Sequence, residues 1–327
     1  MAYYQTGRIT KCVGGLYTVT LDSRDKNQPL FGVDVECRAR GSFRHDGVTP
    51  LVGDLVTVQY GDGSYTMEDG VAVPVAGGAD TAIDGIAERK NSLIRPPLAN
   101  LDVMLVCMAS SSPAPDLYTV DKLLCILEFN GIEPVIVIGK SELAPESVTE
   151  ITRIYEGAGY KVFPLSCAED FGTSELKRYI DGELRGKLIA VAGASGVGKS
   201  TLLNTLFPEL ALVTGDISRK ISRGKNTTRH TQLFPLDGGG YIADTAGFSL
   251  LDFERFDFMG KDDLPHTMRE FRPLLGGCRY TDCTHTKEED CAIVSALRRG
   301  EISLSRHKSF VDLYSILKEK HKWDKKT

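Results

Sequence analysis

Residues 193–201 read Gly193-Ala194-Ser195-Gly196-Val197-Gly198-Lys199-Ser200-Thr201, and this segment indicates the fold of the 327-residue chain. Its first eight residues match the phosphate-loop pattern G-x-x-x-x-G-K-[ST]. The apolar run before it predicts a strand, and the run from Thr201 to Phe207 predicts a helix. At such a corner, backbone N–H groups and the positive end of the helix bind phosphate. We therefore expect residues 193–201 to bind a nucleotide, with Lys199 on its β- and γ-phosphates and Ser200 on its Mg²⁺.

A second motif follows about fifty residues later. It is Tyr241-Ile242-Ala243-Asp244-Thr245-Ala246-Gly247-Phe248, a β-rich segment that ends in D-x-x-G. An Asp at the end of such a strand holds the Mg²⁺ shell, and the Gly amide senses the γ-phosphate. Alone, the motif is also compatible with a plain turn. Its spacing from the phosphate loop favours Asp244 and Gly247 as nucleotide-binding residues.

The segment between the two motifs has the composition of a switch loop. It contains Ser222-Arg223-Gly224-Lys225-Asn226-Thr227-Thr228-Arg229-His230, which is polar and includes a glycine. In a switch loop, a threonine hydroxyl such as that of Thr228 completes the Mg²⁺ shell when the γ-phosphate is present. The alternative interpretation is a plain surface loop.

Strands alternate with helices from about residue 100, which predicts a doubly wound, mostly parallel sheet. The predicted strands are Leu101–Ala109, Pro134–Ile138, Tyr160–Leu165 and Lys187–Ala192, and the predicted helices are Asp116–Asn130, Glu146–Ala158 and Ser174–Leu184. Before them, residues 1–85 hold short β-rich runs separated by glycines. Such runs predict a small β-barrel, of which the OB-fold is one example.

Three cysteines and one histidine fall within fourteen residues, in the spacing Cys278-x4-Cys283-x-His285-x5-Cys291. Three thiolates and one imidazole suit tetrahedral Zn²⁺, and a full protein ligand set predicts a structural site. Zinc binding of roughly 10–16 kcal/mol is enough to fold a short segment around the ion. The alternative is a chance cluster of reduced cysteines, since the other five are scattered along the chain.

The composition is that of an ordinary globular protein, with 42% hydrophobic and 25% charged residues. No apolar run approaches the ~20 residues that cross a bilayer, and the first residues lack the features of a secretory signal, so we expect a cytoplasmic protein. The net charge of −5 argues against indiscriminate binding to nucleic acid. From Arg298 onward, nine Lys and Arg stand against four Asp and Glu, which indicates either a phosphate-contacting tail or a solvated basic helix.

Taken together, these motifs resemble the ribosome small subunit-dependent GTPase A family, the circularly permuted GTPases also called RsgA or YjeQ. The phosphate loop comes first in most GTPases, whereas here two candidate base-binding segments precede it. They are Gly139-Lys140-Ser141-Glu142-Leu143 and Ser166-Cys167-Ala168. Also similar to the family are the zinc spacing, Glu88-Arg89-Lys90-Asn91-Ser92-Leu93-Ile94-Arg95-Pro96, Gly224-Lys225-Asn226-Thr227-Thr228 and Arg306-His307-Lys308-Ser309-Phe310. The resemblance implies that Lys140, Ser141, Glu142, Ser166, Cys167 and Ala168 recognise the base.

The resemblance also implies three domains. They are an N-terminal OB-fold RNA-binding domain over residues 1–85, a circularly permuted GTPase domain over 86–261, and a C-terminal zinc-binding α domain with a basic last helix over 262–327. The implied activity is hydrolysis of GTP to GDP and phosphate by a monomer that has one structural Zn²⁺ and binds Mg²⁺ with GTP. The implied partners are the small (30S) ribosomal subunit, whose late maturation the protein serves, and 16S rRNA. A small barrel and a basic tail suit RNA-contacting modules.

The sequence departs from the family at three places. The family recognises guanine with N-K-x-D, whereas residues 139–142 here are Gly-Lys-Ser-Glu. Gly139 supplies no side-chain amide, and Glu142 carries its carboxylate on a longer arm. We therefore expect weaker guanine discrimination. Asn226 replaces the His regarded as positioning the attacking water, so we expect slow intrinsic turnover, with His230 as a substitute. The expected catalytic residues are thus Lys199, Asn226, Thr228 and His230. Ala246 replaces a Pro, and we expect little effect.

Two other functions stay open at this point. With altered base and switch residues, the protein is also compatible with a weakly hydrolysing placeholder that binds the ribosomal subunit or its RNA. The third interpretation is a phosphate-loop ATPase or kinase unrelated to ribosomes, which a preference for adenine would indicate. Hydrolysis of GTP and ATP in the presence of small subunits separates these functions.

Overall fold

A computed structural model describes residues 2–22, 30, 32–45, 47–68, 71–76, 81–94, 97–210, 231–244 and 259–319. The described residues fall into two units. The first lies within Met1–Leu101, Gly186–Ala190 and Asn226–Ala246. The second lies within Asp102–Arg185, Val191–Lys225 and Gly247–Thr327.

The β-rich N-terminal residues form a closed five-stranded barrel in the first unit, which confirms the predicted small barrel. The elements of this part are β1 (Ala2–Val13), β2 (Leu16–Leu21), β3 (Asp34–Ala39), α1 (Ser42–His45), β4 (Leu55–Gly61), β5 (Tyr65–Glu68), β6 (Val71–Pro74), β7 (Thr81–Ile86), β8 (Ser92–Leu93) and β9 (Leu98–Ala99). The barrel order is β1-β2-β3-β7-β4, and β4 pairs back with β1. In β2, alternate residues Tyr17, Val19 and Leu21 are buried, because one face of each strand fills the barrel.

Side chains of the segment after the barrel bind it to the barrel and join its two ends to each other. Arg89 binds the fully buried Asp54 through two nitrogens, each 2.7 Å from a carboxylate oxygen. The amide of Asn91 both donates to and accepts from the backbone of Leu101 at 2.9 Å. The side chain of Asn100 accepts from the Lys90 backbone N–H at 3.0 Å. The segment after β7 is therefore built into the first unit, at least as far as Leu101.

The first unit also contains a small β-sheet formed by residues distant in sequence. Its strands are β14 (Gln232–Pro235), β15 (Tyr241–Asp244) and residues 188–190 of β13 (Leu188–Gly193). β15 runs parallel to β13 and antiparallel to β14. β14 in turn pairs with β1 where Gln232 faces Lys11.

Strands and helices alternate in the second unit, as predicted. The elements are β10 (Val103–Ala109), α2 (Leu117–Phe129), β11 (Glu133–Gly139), α3 (Pro145–Gly157), β12 (Lys161–Pro164), α4 (Thr173–Gly182), residues 191–193 of β13, and α5 (Lys199–Leu206). β10, β11 and β12 are parallel neighbours. Every residue of β10 is buried, as expected of a central parallel strand. Helix α2 begins where the Asp116 carboxylate accepts the Thr119 N–H at 3.2 Å.

The C-terminal part of the second unit is helical. Its helices are α6 (Leu264–Thr267), α7 (Ala292–Arg298) and α8 (Leu304–Glu319). Buried residues recur along α8 at Phe310, Leu313 and Leu317, which is the spacing of one helix face. The Phe310 ring packs on that of Phe271 with centroids 4.9 Å apart.

The structure confirms the predicted fold class: a small N-terminal barrel, a mostly parallel sheet with helices, and a helical C-terminal part with a cysteine cluster. The domain boundaries at residues 85 and 261 stay predictions. Within the described ranges, no helix combines the length and the apolar composition that crossing a membrane requires.

Candidate functional site

The phosphate-loop sequence forms the turn between β13 and α5, and two of its glycines have conformations that the turn requires. At Gly193, φ is +154°, and a Cβ atom would lie only 2.3 Å from the carbonyl oxygen of Cys107. Gly198 precedes α5 in the left-handed region, with φ of +99°. A side chain at the first position would collide with β10, and one at the second would strain the backbone. The loop can thus pass close to β10 and turn directly into the helix.

Lys199 opens α5 and lies against its own loop. Its Nζ donates to the carbonyl oxygens of Gly193 at 2.9 Å and Ala194 at 2.8 Å. Burial lowers the pKa of Lys199, and a bound anion would oppose that shift. Ser200 follows in the first turn of α5. The structure therefore brings a lysine ammonium, a hydroxyl and the start of a helix together at one corner, where an anion is favoured.

A cavity of about 250 Å³ lies next to this corner. Among the predicted base-recognition residues, Lys140, Glu142, Cys167 and Ala168 line it. Val197, Gly198 and Thr201 of the phosphate loop and α5 line it as well. The base segments and the phosphate loop thus enclose one cavity, in a position that suits a planar ring attached to a bound phosphate chain.

Lys140 connects the two loops directly. Its backbone has φ of +56°, and its carbonyl accepts the hydroxyl of Ser110 at 2.6 Å. Its Nζ reaches the phosphate loop and donates to the carbonyl oxygen of Gly196 at 2.9 Å, and it also donates to the carbonyl of Ser112. The lysine therefore holds the base-recognition segment against the phosphate loop.

Two predicted base-recognition residues do not line this cavity. Ser141 and Ser166 are buried, and they line a different cavity beside helix α3. Conversely, Cys107 and Met108 line the base cavity, although the sequence pattern predicts for them only a buried strand. Their position at the carboxyl end of a parallel strand is the signal that could have found them, because ligands of such sheets bind at that edge.

Several predicted site residues cannot be placed in this geometry. Asn226, Thr228, His230 and Gly247 lie outside the described residues. Asp244 is the last residue of β15, where it pairs with Gln232. The roles assigned to these residues from the sequence stay predictions.

The predicted metal ligands converge in the helical C-terminal part. One ligand atom from each of Cys278, Cys283, His285 and Cys291 lies within 4.8 Å of all the others. The sulfurs of Cys278 and Cys291 are 3.7 Å apart, and His285 Nδ1 lies 3.4 Å and 3.5 Å from them. Four such ligands around a tetrahedral Zn²⁺ would place two sulfurs roughly 3.8 Å apart and sulfur and nitrogen roughly 3.5 Å apart.

The surroundings of these residues also suit a metal. Burial lowers the pKa of His285, which favours the neutral imidazole that metals bind. His285 itself has φ of +60°, which is uncommon for a residue other than glycine. The donor set and its spacing therefore fit a four-coordinate thiolate and imidazole site.

Two residues that the sequence analysis did not assign to the metal centre hold its loop. Although burial alone raises it, the pKa of Glu288 falls to about 2, because this carboxylate accepts hydrogen bonds from the loop. The donors are the hydroxyl and N–H of Thr284 and the N–H groups of Thr286 and Lys287. On α8, His307 Nε2 donates to the carbonyl oxygen of His285 at 2.9 Å. Such contacts arise from loop geometry, which spacing alone does not reveal.

Comparisons with known proteins agree with this arrangement. Residues 86–254 match the family described as RsgA GTPase, and residues 6–65 match the RsgA N-terminal domain. The small ribosomal subunit biogenesis GTPase RsgA of Ruminiclostridium cellulolyticum is 37% identical over 96% of this chain and 94% of its own. The protein of that name from Geobacillus kaustophilus is 39% identical over 96% of this chain and 98% of its own.

Two solved structures are similar over nearly the whole chain. YjeQ from Thermotoga maritima has a TM-score of 0.74 and 31% identity, covering 98% of this chain and 100% of that chain. YloQ, described as a circularly permuted GTPase, has a TM-score of 0.72 and 30% identity, covering 98% of this chain and 96% of that chain.

Proposed function

This chain belongs to the RsgA GTPase family, and from that premise we propose that it hydrolyses GTP to GDP and phosphate on the small ribosomal subunit, during late maturation of that subunit. The observation that supports this most is the hydrogen bond from Lys140 Nζ to the carbonyl oxygen of Gly196, at 2.9 Å. This bond connects the segment that lines the base cavity to the phosphate loop. A nucleoside triphosphate needs both in one site, because its base and its phosphates are bound at the same time. The names of the relatives supply the ribosomal partner.

In this proposal, the loop amides and Lys199 bind the phosphates. Lys199 exchanges its two carbonyl partners, Gly193 and Ala194, for β- and γ-phosphate oxygens. Water attacks the γ-phosphorus in line with the departing GDP oxygen, and no covalent intermediate forms. Because charge is spread over the phosphoryl oxygens in the transition state, fixed positive groups at this corner accelerate the reaction.

Oxygen ligands for Mg²⁺ would come from the phosphate loop, the switch segment and the D-x-x-G motif. The Ser200 hydroxyl lies in the first turn of α5 and is an oxygen donor of the type that Mg²⁺ prefers. Thr228 and Asp244 are the other residues that would hold it. When bound with GTP, Mg²⁺ neutralises charge on the β- and γ-phosphates.

Base recognition in this chain rests on Lys140, Glu142, Cys167 and Ala168. The Glu142 carboxylate takes the place of the usual Asp as acceptor for the N–H groups of guanine, on an arm one methylene longer. Gly139 offers no side-chain amide. A Cβ atom at this position would lie 3.4 Å from the nearest carbonyl oxygen, so a side chain has room to start there. A bound guanine therefore has one polar partner fewer and more free space around it. Both differences support weaker discrimination of guanine from other bases than in relatives with N-K-x-D.

Turnover without the ribosomal subunit is slow in this proposal. Asn226 can orient a water but cannot act as a base, and His230 stands four residues further on as the only imidazole of that loop. Binding to the subunit completes the site. Activators of this type raise rates by roughly 10³–10⁵-fold.

The remaining regions serve binding and stability. One Zn²⁺ held by Cys278, Cys283, His285 and Cys291 would stabilise the C-terminal part as a structural ion, since four protein ligands leave no place for water. Metal analysis of the purified protein, with one zinc per chain expected, tests this.

We assign the barrel of residues 1–85 and the zinc-binding part of 262–327 to contacts with 16S rRNA. In sequence, they flank a permuted GTPase domain of 86–261. The protein acts in the cytoplasm as a monomer.

Gly139 and Asn226 favour a second function, because they stand where family members have the Asn that recognises guanine and the His that positions water. In that case the protein is a placeholder on the subunit that hydrolyses GTP poorly. Phosphate release from GTP and from ATP, measured with and without purified small ribosomal subunits, separates the possibilities. Subunit-stimulated release from GTP supports the proposal, binding without stimulation supports the placeholder, and preferred release from ATP contradicts both.

A further inference from the structure

Helix α3 borders a second cavity, which the GTPase reaction does not use. Its volume is about 790 Å³, and we call it the α3 cavity. One wall is the face of α3 that carries Val148, Thr152 and Glu156. The segment after β12 contributes Glu169 and Phe171 to its lining. Ser141 and Glu142 also line it.

Unpartnered polar atoms are concentrated around the α3 cavity. Among the described residues, five buried side-chain oxygens have no hydrogen-bond partner, and three belong to residues that line this cavity: Ser141 Oγ, Glu142 Oε2 and Thr152 Oγ1. Ser141 is only 8% exposed. By contrast, the hydroxyl of Thr149 on the same helix has a hydrogen-bond partner: it donates to the carbonyl oxygen of Pro145 at 3.0 Å. Unpaired buried oxygens are costly, and a hydrogen-bond donor entering the cavity would relieve that cost.

The charge of the cavity indicates which donor it takes. Three carboxylates line it, from Glu142, Glu156 and Glu169, against the single guanidinium of Arg153. In the part of the chain that the structure describes, none of these three carboxylates has a lysine or arginine partner. Phe171 also lines the cavity and is 59% exposed, and an aromatic face attracts cations. An excess of acceptors, negative charge and an exposed ring favour a ligand that is both a donor and a cation.

We propose that the α3 cavity binds an organic cation, a guanidinium or an alkylammonium group, carried either by a free small molecule or by a side chain of a partner protein. Glu156 and Glu169 pair with its charge, and the hydroxyls of Ser141 and Thr152 accept its N–H groups after rotation about one bond. This site is distinct from the base cavity, but Glu142 lines both. The binding itself does not depend on the proposed GTPase function.

The test is isothermal titration of the nucleotide-free, full-length protein with two probes. Agmatine represents a free guanidinium, and the peptide acetyl-Gly-Arg-Gly-amide represents a protein side chain. Saturable binding of either probe is expected. Equal affinities assign the ligand to small molecules, and tighter binding of the peptide assigns it to a partner protein. Absence of saturable binding by both probes overturns the proposal.

Variants locate the binding. The double variant Glu156→Gln/Glu169→Gln should weaken it by roughly tenfold or more, because it removes two charge-assisted partners. Glu150→Gln changes an exposed glutamate of α3 that does not line the cavity, and it should leave affinity unchanged. Thr152→Val keeps the side-chain shape and removes an unpaired hydroxyl, so it should weaken binding without lowering the melting temperature. Affinity unchanged in both the double variant and Thr152→Val would overturn the proposal.

Discussion

Arg306 and Asp121 form an ion pair that is closed to solvent: Arg306 Nη1 lies 2.7 Å from Asp121 Oδ1, and the side chains are 1% and 0% exposed. Glu270 accepts from the same guanidinium, at 2.8 Å from Nε and 3.1 Å from Nη2. Asp121 lies on α2, whereas Arg306 lies on α8, next to the residue that contacts the metal loop. The pair therefore fixes the last described helix to the helix that follows β10.

Replacing Arg306 with methionine should destabilise the protein strongly. The substitution keeps most of the apolar volume but leaves the carboxylates of Asp121 and Glu270 buried without their partner. Breaking one side of a buried ion pair typically costs roughly 3–5 kcal/mol. The free energy of unfolding from urea titrations measures the effect.

Arg299→Met is the matched control for that experiment. Arg299 pairs with Glu301 on the surface, where the two side chains are 56% and 54% exposed. Solvent screens an exposed pair, so little change in stability is expected. Equal losses of stability in the two variants would contradict the structural role of Arg306.

Glu288→Gln should weaken zinc binding without removing a ligand. The carboxylate accepts the N–H groups of Thr284, Thr286 and Lys287, and a glutamine places an NH₂ group against one or more of them. Losing such a supporting contact typically lowers metal affinity by roughly 10–100-fold. Competition with a chromophoric chelator measures the change. The exposed neighbour variant Glu289→Gln should bind zinc like the parent, and equal affinity in all three proteins would refute the role of Glu288.

Gly139→Asn should improve guanine recognition. A Cβ atom at this position would lie 3.4 Å from the carbonyl of Val197 and 3.7 Å from that of Met108, which are ordinary contacts. The added amide supplies a hydrogen-bond partner worth roughly 0.5–1.5 kcal/mol, or about threefold to tenfold in affinity. Titrations with GDP and ADP should show tighter GDP binding and a larger GDP-over-ADP ratio. Gly157→Asn, on an exposed helix end, should change neither, and an unchanged ratio for Gly139→Asn would show that Gly139 does not limit discrimination.

Asn226→His should raise the rate of GTP hydrolysis in the absence of ribosomal subunits. A positioned imidazole contributes roughly 10²–10⁴-fold in general acid–base catalysis, so even part of that effect gives an increase of about tenfold. Single-turnover phosphate release measures it. Asn226→Ala serves as the control, since it removes the amide without adding an imidazole. A rate for the histidine variant at or below that of the parent would contradict the proposed defect.

Local patterns predicted much of this architecture. The phosphate loop, the alternation of strands and helices, and the cysteine spacing are each encoded within a few neighbouring residues. For example, the sequence predicts a helix over 116–130, and α2 begins at Leu117, after Asp116 as its N-terminal cap. The short β-rich runs predict the barrel. They do not predict that β7 completes it by pairing in parallel with β3, because strand order depends on contacts between distant residues.

The long-range polar contacts could not be read from the sequence. The sequence places Arg306 in a basic tail that is either phosphate-contacting or solvated, yet its side chain is buried against Asp121, 185 positions away. Cys107 and Met108 belong to an apolar run, and only the sheet places them at the base cavity. Burial of a charge and the lining of a cavity both depend on the packing of distant segments.

The proposed function requires that the corner between β13 and α5 binds the phosphates of GTP for hydrolysis on the ribosomal subunit. The most direct test is phosphate release from GTP with purified small subunits, comparing the parent with Lys199→Ala. We expect strong stimulation of the parent by the subunits, and loss of nearly all turnover and of most nucleotide binding in the variant. Turnover and binding that survive unchanged without the Lys199 ammonium would contradict it.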